Sequence, residues 1–152
     1  MFRWRIIIIF LFCSISLLAQ NAVKADGLFQ DANYLAAQKE YQLLLKHHPT
    51  YALYLYRYAR CCQELGEYSS AIQYFAKAGN RYDLKHYNLG EIYMQLGYPE
   101  QAIASYEEYL KTLKNPNTER GIYVREQIRK AEKMQRYMRR VEKVQIIDSV
   151  DV

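Results

Sequence analysis

The chain has 152 residues, room for one domain, and 51% of it is hydrophobic, enough for a packed core. Only 6 Gly and 3 Pro speak against a β-sandwich with its many turns and for helices, and 16 Tyr suit small helices whose rings are buried while their polar tips stay near water. The formal net charge is +5, but residues 20–118 hold ten basic and ten acidic side chains and residues 119–143 nine and four, so one segment rather than the whole chain is basic.

The first nineteen residues, MFRWRIIIIFLFCSISLLA, place Arg3 and Arg5 before an apolar run from Ile6 to Leu18 and end on the small Ala19. Charged, apolar and small-residue regions in that order form a signal peptide, here with cleavage expected after Ala19. At about 1.5 Å per residue the run to Ala19 spans roughly 21 Å, short of the ~30 Å hydrocarbon core, so a retained transmembrane helix is not expected. Cys13 follows the bulky Phe12, which disfavours a lipid anchor there. Export to the periplasm or the outer membrane would leave Cys61 and Cys62 in an oxidising space. Adjacent cysteines rarely bond to each other because the ring is strained, and a zinc site wants four spaced ligands, so both are expected to be small core residues.

From residue 20 onward the chain repeats itself. GEYSSAIQYFAKAG begins at Gly66 and GYPEQAIASYEEYL at Gly97, and NYLAAQKEYQLLL at Asn33 is a fainter copy. Ala37, Ala71 and Ala102 are 34 and 31 residues apart, and Tyr41, Phe75 and Tyr106 keep the same two spacings. A period in this range marks a stacked-repeat protein, and the low Gly and Pro content makes helices its expected units, so an all-α stack is predicted. Gly66 and Gly97 are placed to end the first helix of a pair, where a left-handed residue is wanted. Ala71, Ala102, Gly90 and Ala59 are small where two helices cross closely, while Phe75 and Tyr106 fill the space toward the next pair. The predicted pairs cover about 20–51, 52–82 and 83–116.

The third copy, His86-x2-Leu89-Gly90-x2-Tyr93 followed by Gly97, Ala102 and Tyr106, resembles the tetratricopeptide repeat. His86 stands where Trp is usual, and Pro116 falls two places late for the closing proline. The second copy gives Leu55-x2-Tyr58-Ala59-x2-Cys62, then Gly66, Ala71 and Phe75, with no closing proline. The first keeps Tyr34, Ala37, Tyr41 and Pro49, but its opening helix is weakly marked by Asn21, Lys24, Ala25 and Leu28. The resemblance covers about Ala22 to Pro116 and implies a helix-turn-helix solenoid.

Pro116-Asn117-Thr118 breaks the chain and caps a new helix, predicted over 118–143. Its apolar stripe runs Val124, Ile128, Ala131, Met134, Met138, Val141, in steps of four and three, and should cover the third pair. The opposite face carries the basic excess. The tail Val144–Val152, VQIIDSVDV, is β-branched and reads as an extended, strand-like segment. With the preceding residues it resembles the junction in Bacteroidetes-type envelope proteins, where a signal peptide and a short tetratricopeptide stack precede a WD-type β-propeller. That resemblance implies a chain continuing past Val152; a loosely docked tail is the alternative.

No constellation for catalysis stands out. His47 and His48 sit at a helix end before Pro49, Glu107 and Glu108 lack an acid–base partner, and there is no phosphate loop, nucleophile elbow or metal-ligand spacing. A non-enzymatic chain without cofactor or metal is expected. In the resembling family the functional surface is typically the concave face made by the first helices. Carried onto this sequence it implies Leu53, Tyr56, Arg60, Gln63 and Glu64 from the second pair, and Tyr87, Glu91, Met94 and Gln95 from the third. Solvated surface is the competing reading for each. Asn88 matches one position of the carboxylate-clamping members, but the accompanying Lys, Asn and Arg set is absent, and that specialisation is rejected. The expected partner is a protein or peptide, held by an envelope scaffold. The alternatives are a membrane-surface module using the basic helix, and a docking arm of a larger enzyme or propeller protein; nucleic acid is not expected for an exported chain.

Overall fold

The structure, a computed structural model, describes residues 20–150, with side chains described as far as Lys143. The signal-peptide reading of residues 1–19 lies outside the described residues. Seven helices and no strand occur among them: α1 (20–30), α2 (Tyr34–His47), α3 (Ala52–Glu64), α4 (Tyr68–Lys77), α5 (Leu84–Gln95), α6 (Pro99–Thr112) and α7 (Glu119–Val150). The fold is all-α, built of helix pairs as the repeat spacing predicts.

The pairs are punctuated by the same local chemistry. Gly66 and Gly97 have φ of 77° and 76°. After α3, Gly66 N–H donates to Gln63 O (3.1 Å) and Glu67 N–H to Cys62 O (2.8 Å); after α5, Gly97 N–H donates to Met94 O (3.2 Å) and Tyr98 N–H to Tyr93 O (2.8 Å). These crossed bonds satisfy the last carbonyls of each first helix and turn the chain back on itself. Asn33 caps α2 by accepting from Ala36 N–H (3.3 Å). Thr118 caps α7 by accepting from Gly121 N–H (3.2 Å), as the Pro-Asn-Thr break predicts.

The described chain divides into two compact units, one ending at Arg81 and one beginning at Tyr82. In the first, Ala25, Ala37, Tyr41, Leu44 and Cys61 form a core with Phe29, Tyr54 and Tyr58 packed at its edge. In the second, Ala102, Tyr106, Tyr109, Val124 and Ala131 form the core, and α7 covers α6. The repeat positions Ala37, Ala71, Ala102, Tyr41, Phe75 and Tyr106 are all fully buried. Burying a ring such as Phe75 stabilises the fold by roughly 1.5–3 kcal/mol relative to leaving it exposed. Pro49 lies in the turn after α2. Cys61 and Cys62 are free and buried, and burial pushes their thiols up to about 12 and about 11, so both stay protonated core residues.

One expectation is corrected. Residues 144–150 are not extended: α7 runs on through them as far as Val150. A strand needs a partner for its backbone groups, whereas each residue added to an existing helix brings its own hydrogen bond. The helix penalty of a β-branched residue, at most ~0.7 kcal/mol, is too small to stop that propagation. The apolar stripe of α7 also divides. Val124 and Ala131 are fully buried, but Met138 is 47% and Val141 38% exposed.

Candidate functional site

Each unit presents a face made by first helices. In the first unit α3 supplies five of the predicted residues. Leu53 is half-buried, and Tyr56 is buried with its ring centroid 5.6 Å from that of Phe75, so it props the face rather than lying open on it. Arg60 is half-buried and pairs with the exposed Glu64 one turn on (2.9 Å). Gln63 is half-buried, and its Oε1 is enclosed without a hydrogen-bond partner. The same holds for Arg60 Nε and for Arg57 Nε. Arg57, Arg60 and Gln63 are three residues apart, one row along one side of α3. Phe29 of α1 lies against that row, its ring centroid 4.6 Å from the Arg57 guanidinium and 6.0 Å from that of Arg60.

In the second unit α5 supplies Tyr87, Glu91, Met94 and Gln95. Gln95 is exposed and Met94 is half-buried against the core. Tyr87 stands at the centre of an aromatic group with Tyr109 (5.6 Å), Tyr106 and Tyr123 (6.4 Å each). Tyr87 also lines a cleft with Thr118, Glu119, Arg120 and Tyr123 at the start of α7. Burial, then nearby Glu91 and Tyr123, push the Tyr87 phenol up to about 12, so it remains a hydrogen-bond donor throughout the physiological range. Asn88, the single match to a carboxylate clamp, is buried.

Glu91 is committed within the fold. It accepts the Tyr106 hydroxyl at 2.5 Å, and Asp26 likewise accepts the Tyr41 hydroxyl. In both cases the acid lies on the first helix and the tyrosine fifteen residues later on the second. The corresponding position in the middle pair is Arg60, fifteen before Phe75, where the aromatic has no hydroxyl to satisfy. With no tyrosine hydroxyl to bind, Arg60 pairs with Glu64 on its own helix instead.

Phe29, Arg57, Arg120 and Tyr123 escaped the sequence reading. Arg57 could have been found from its three-residue spacing to Arg60. The others reach the faces from α1 and α7, through contacts that leave no local pattern. Among the described residues no group of three or more His, Cys, Asp or Glu could hold a metal ion, and no helix is long and apolar enough to cross a membrane.

Two tetratricopeptide-repeat family models match, one over residues 23–81 and one over 86–112. The chain carries tetratricopeptide repeats. No curated protein matches its sequence. Among solved structures, the type III secretion chaperone SycD of Yersinia enterocolitica, in complex with a peptide of the translocator YopD, superposes with a TM-score of 0.69 at 18% identity, covering 79% of this chain and 95% of SycD. PcrH from Pseudomonas aeruginosa gives 0.65 at 20% identity, with 77% and 92% covered. The TPR2B domain of yeast Sti1, in a complex with Hsp70, gives 0.65 at 15%, with 76% and 96% covered. At these identities the likeness is one of fold.

Proposed function

We propose that this tetratricopeptide chain is a non-catalytic interaction module of the cell envelope that holds a peptide segment of a protein partner on its first-helix faces. The observation that carries the reading is the row on α3. Two enclosed N–H donors, of Arg57 and Arg60, and one enclosed acceptor, of Gln63, have no hydrogen-bond partner in the fold. A peptide main chain offers both carbonyl and N–H groups at short intervals and would satisfy all three once these half-buried side chains turn outward on binding. Phe29 beside the row would supply apolar contact. The peptide complex of SycD and the pHsp70 complex of the Sti1 domain are consistent with this use of the fold. Placement in the envelope rests on Arg3, Arg5, the apolar run to Leu18 and Ala19.

The test is a photo-cross-linking amino acid placed either at Glu64, exposed on α3, or at Gln73, exposed on α4. Irradiation in the native cells should give a discrete adduct from position 64 and none from position 73. Equal adducts from both positions, or none from either, would discard the proposal.

A further inference from the structure

The basic excess of the protein lies on one stretch of α7. Residues 20–128 hold twelve basic and twelve acidic side chains, whereas residues 129–143 hold seven basic and two acidic. Five of the seven, Arg129, Lys133, Arg136, Arg140 and Lys143, follow one another in steps of four, three, four and three. At about 100° per residue they fall within an arc of roughly 80°, one charge per turn along about 21 Å of helix. That arc lies on the far side of the helix from the buried Val124 and Ala131, and all five side chains are exposed. Among the described residues none of the five is held in an ion pair. The pairs on this stretch belong to side chains round the turn, Lys130 with Glu126 (3.8 Å) and Arg139 with Glu100 (3.3 Å). Arg125, one turn earlier in the same line, is engaged by the Pro116 carbonyl (2.8 Å). Glu126 and Glu132 border the line, one on each side.

We propose that this line of cations is a docking surface for a helix of a protein partner that carries acidic side chains along one face. Carboxylates placed on a partner helix at the same four- and three-residue steps recur once per turn, so a helix laid alongside α7 meets all five charges in register. Duplex nucleic acid carries a phosphate every ~3.4 Å of each strand, out of step with a charge about every 5 Å. A flat anionic membrane would press on Glu126 and Glu132 as well as on the cations between them, and like charges oppose that contact. A second copy of the chain would bring one cationic line against another. Exposed ion pairs are individually weak, so the line selects and orients a partner more than it holds one. The contact is separate from the row on α3 and does not depend on it.

Fluorescence anisotropy at low ionic strength tests this, with the protein recovered from its cells and two labelled helical peptides of identical composition. One peptide carries its glutamates in steps of four, three, four and three, and the other has them spread round the helix. The first should bind about tenfold more tightly than the second, and its binding should be lost at high salt. Arg136→Gln/Arg140→Gln takes two charges out of the line and should weaken that binding about tenfold. Lys130→Gln/Arg139→Gln takes the same charge from beside the line and should change it by less than about twofold. All four side chains are exposed, so circular dichroism should be unchanged in both variants. Equal binding of the two peptides, no binding of either, or equal loss in the two variants would overturn the proposal. Binding of phosphatidylglycerol vesicles or of duplex DNA that Arg136→Gln/Arg140→Gln abolishes, with no preference between the peptides, would assign the line to a membrane or to nucleic acid instead. Cross-linking at Glu64 is read separately, so either idea can fail without the other.

Discussion

Tyr106 is held at both ends. Its ring is fully buried between α5 and α6, and its hydroxyl is fixed on Glu91. Gly90 gives the ring its room: a Cβ at that position would stand 2.4 Å from both Cδ1 and Cε1 of Tyr106. The ring cannot swing aside without giving up Glu91. Gly90→Ala is therefore expected to destabilise the fold by roughly 1–3 kcal/mol, the usual cost of overpacking. Gly27 in α1 has nothing within 4 Å of its would-be Cβ. Gly27→Ala should be neutral or stabilising by about 0.5–1 kcal/mol, since alanine restricts the unfolded chain and favours helix. Urea unfolding monitored by circular dichroism separates the two, and a Gly90→Ala midpoint equal to that of the parent would show that the contact relaxes freely.

At the scale of the element, α5 opens with Lys85 and His86 side by side. Burial, then the adjacent Lys85 charge, hold the His86 imidazole below its ordinary value, against the opposing pull of Glu108 and Asp83. A folded-state pKa below the unfolded one means that the unfolded chain binds the proton more readily. Stability is then unaffected by His86 above its ordinary pKa of 6.5 and falls as pH drops through that value toward the lower folded one. The melting temperature should decline between about pH 7 and pH 5, before ordinary carboxylates titrate, and His86→Gln should flatten that decline. An unchanged slope in the variant would remove His86 as the cause. The helices themselves were largely legible, because Ala102 and Tyr106 obey a spacing that only a helix crossing imposes, and Gly97 marks the reversal. The end of α7 was not. Val144, Ile146 and Ile147 carry a local preference for strand, but the outcome is set by what precedes them, a capped and packed helix at Thr118, Val124 and Ala131 that needs no partner to continue. The candidate faces were half legible. Arg60, Gln63 and Tyr87 follow from the repeat register, whereas Phe29 and Tyr123 meet them only through tertiary contact, and the burial of Tyr56 depends on the size of Phe75.

Across the whole molecule, stability is expected to follow the two cores rather than the length of the helices. α7 is the longest element, 32 residues or about 48 Å, against 14 residues or about 21 Å for the α6 it covers. Among its described side chains only the early part is buried completely, at Val124 and Ala131. Beyond them the described polar links back to α6 are the exposed contacts of Gln135 and Arg139 with Glu100, and an exposed ion pair adds little. A helix this lightly packed opens locally at small cost, while helices sealed around Tyr41, Phe75 or Tyr106 open only with their core. Hydrogen exchange followed by mass spectrometry should therefore find the slowest amides in α2, α3 and α6 and around Val124 to Ala131, with protection falling by about tenfold or more toward Arg139 to Lys143. Uniform protection along α7 would mean that something beyond the described contacts already covers its distal face.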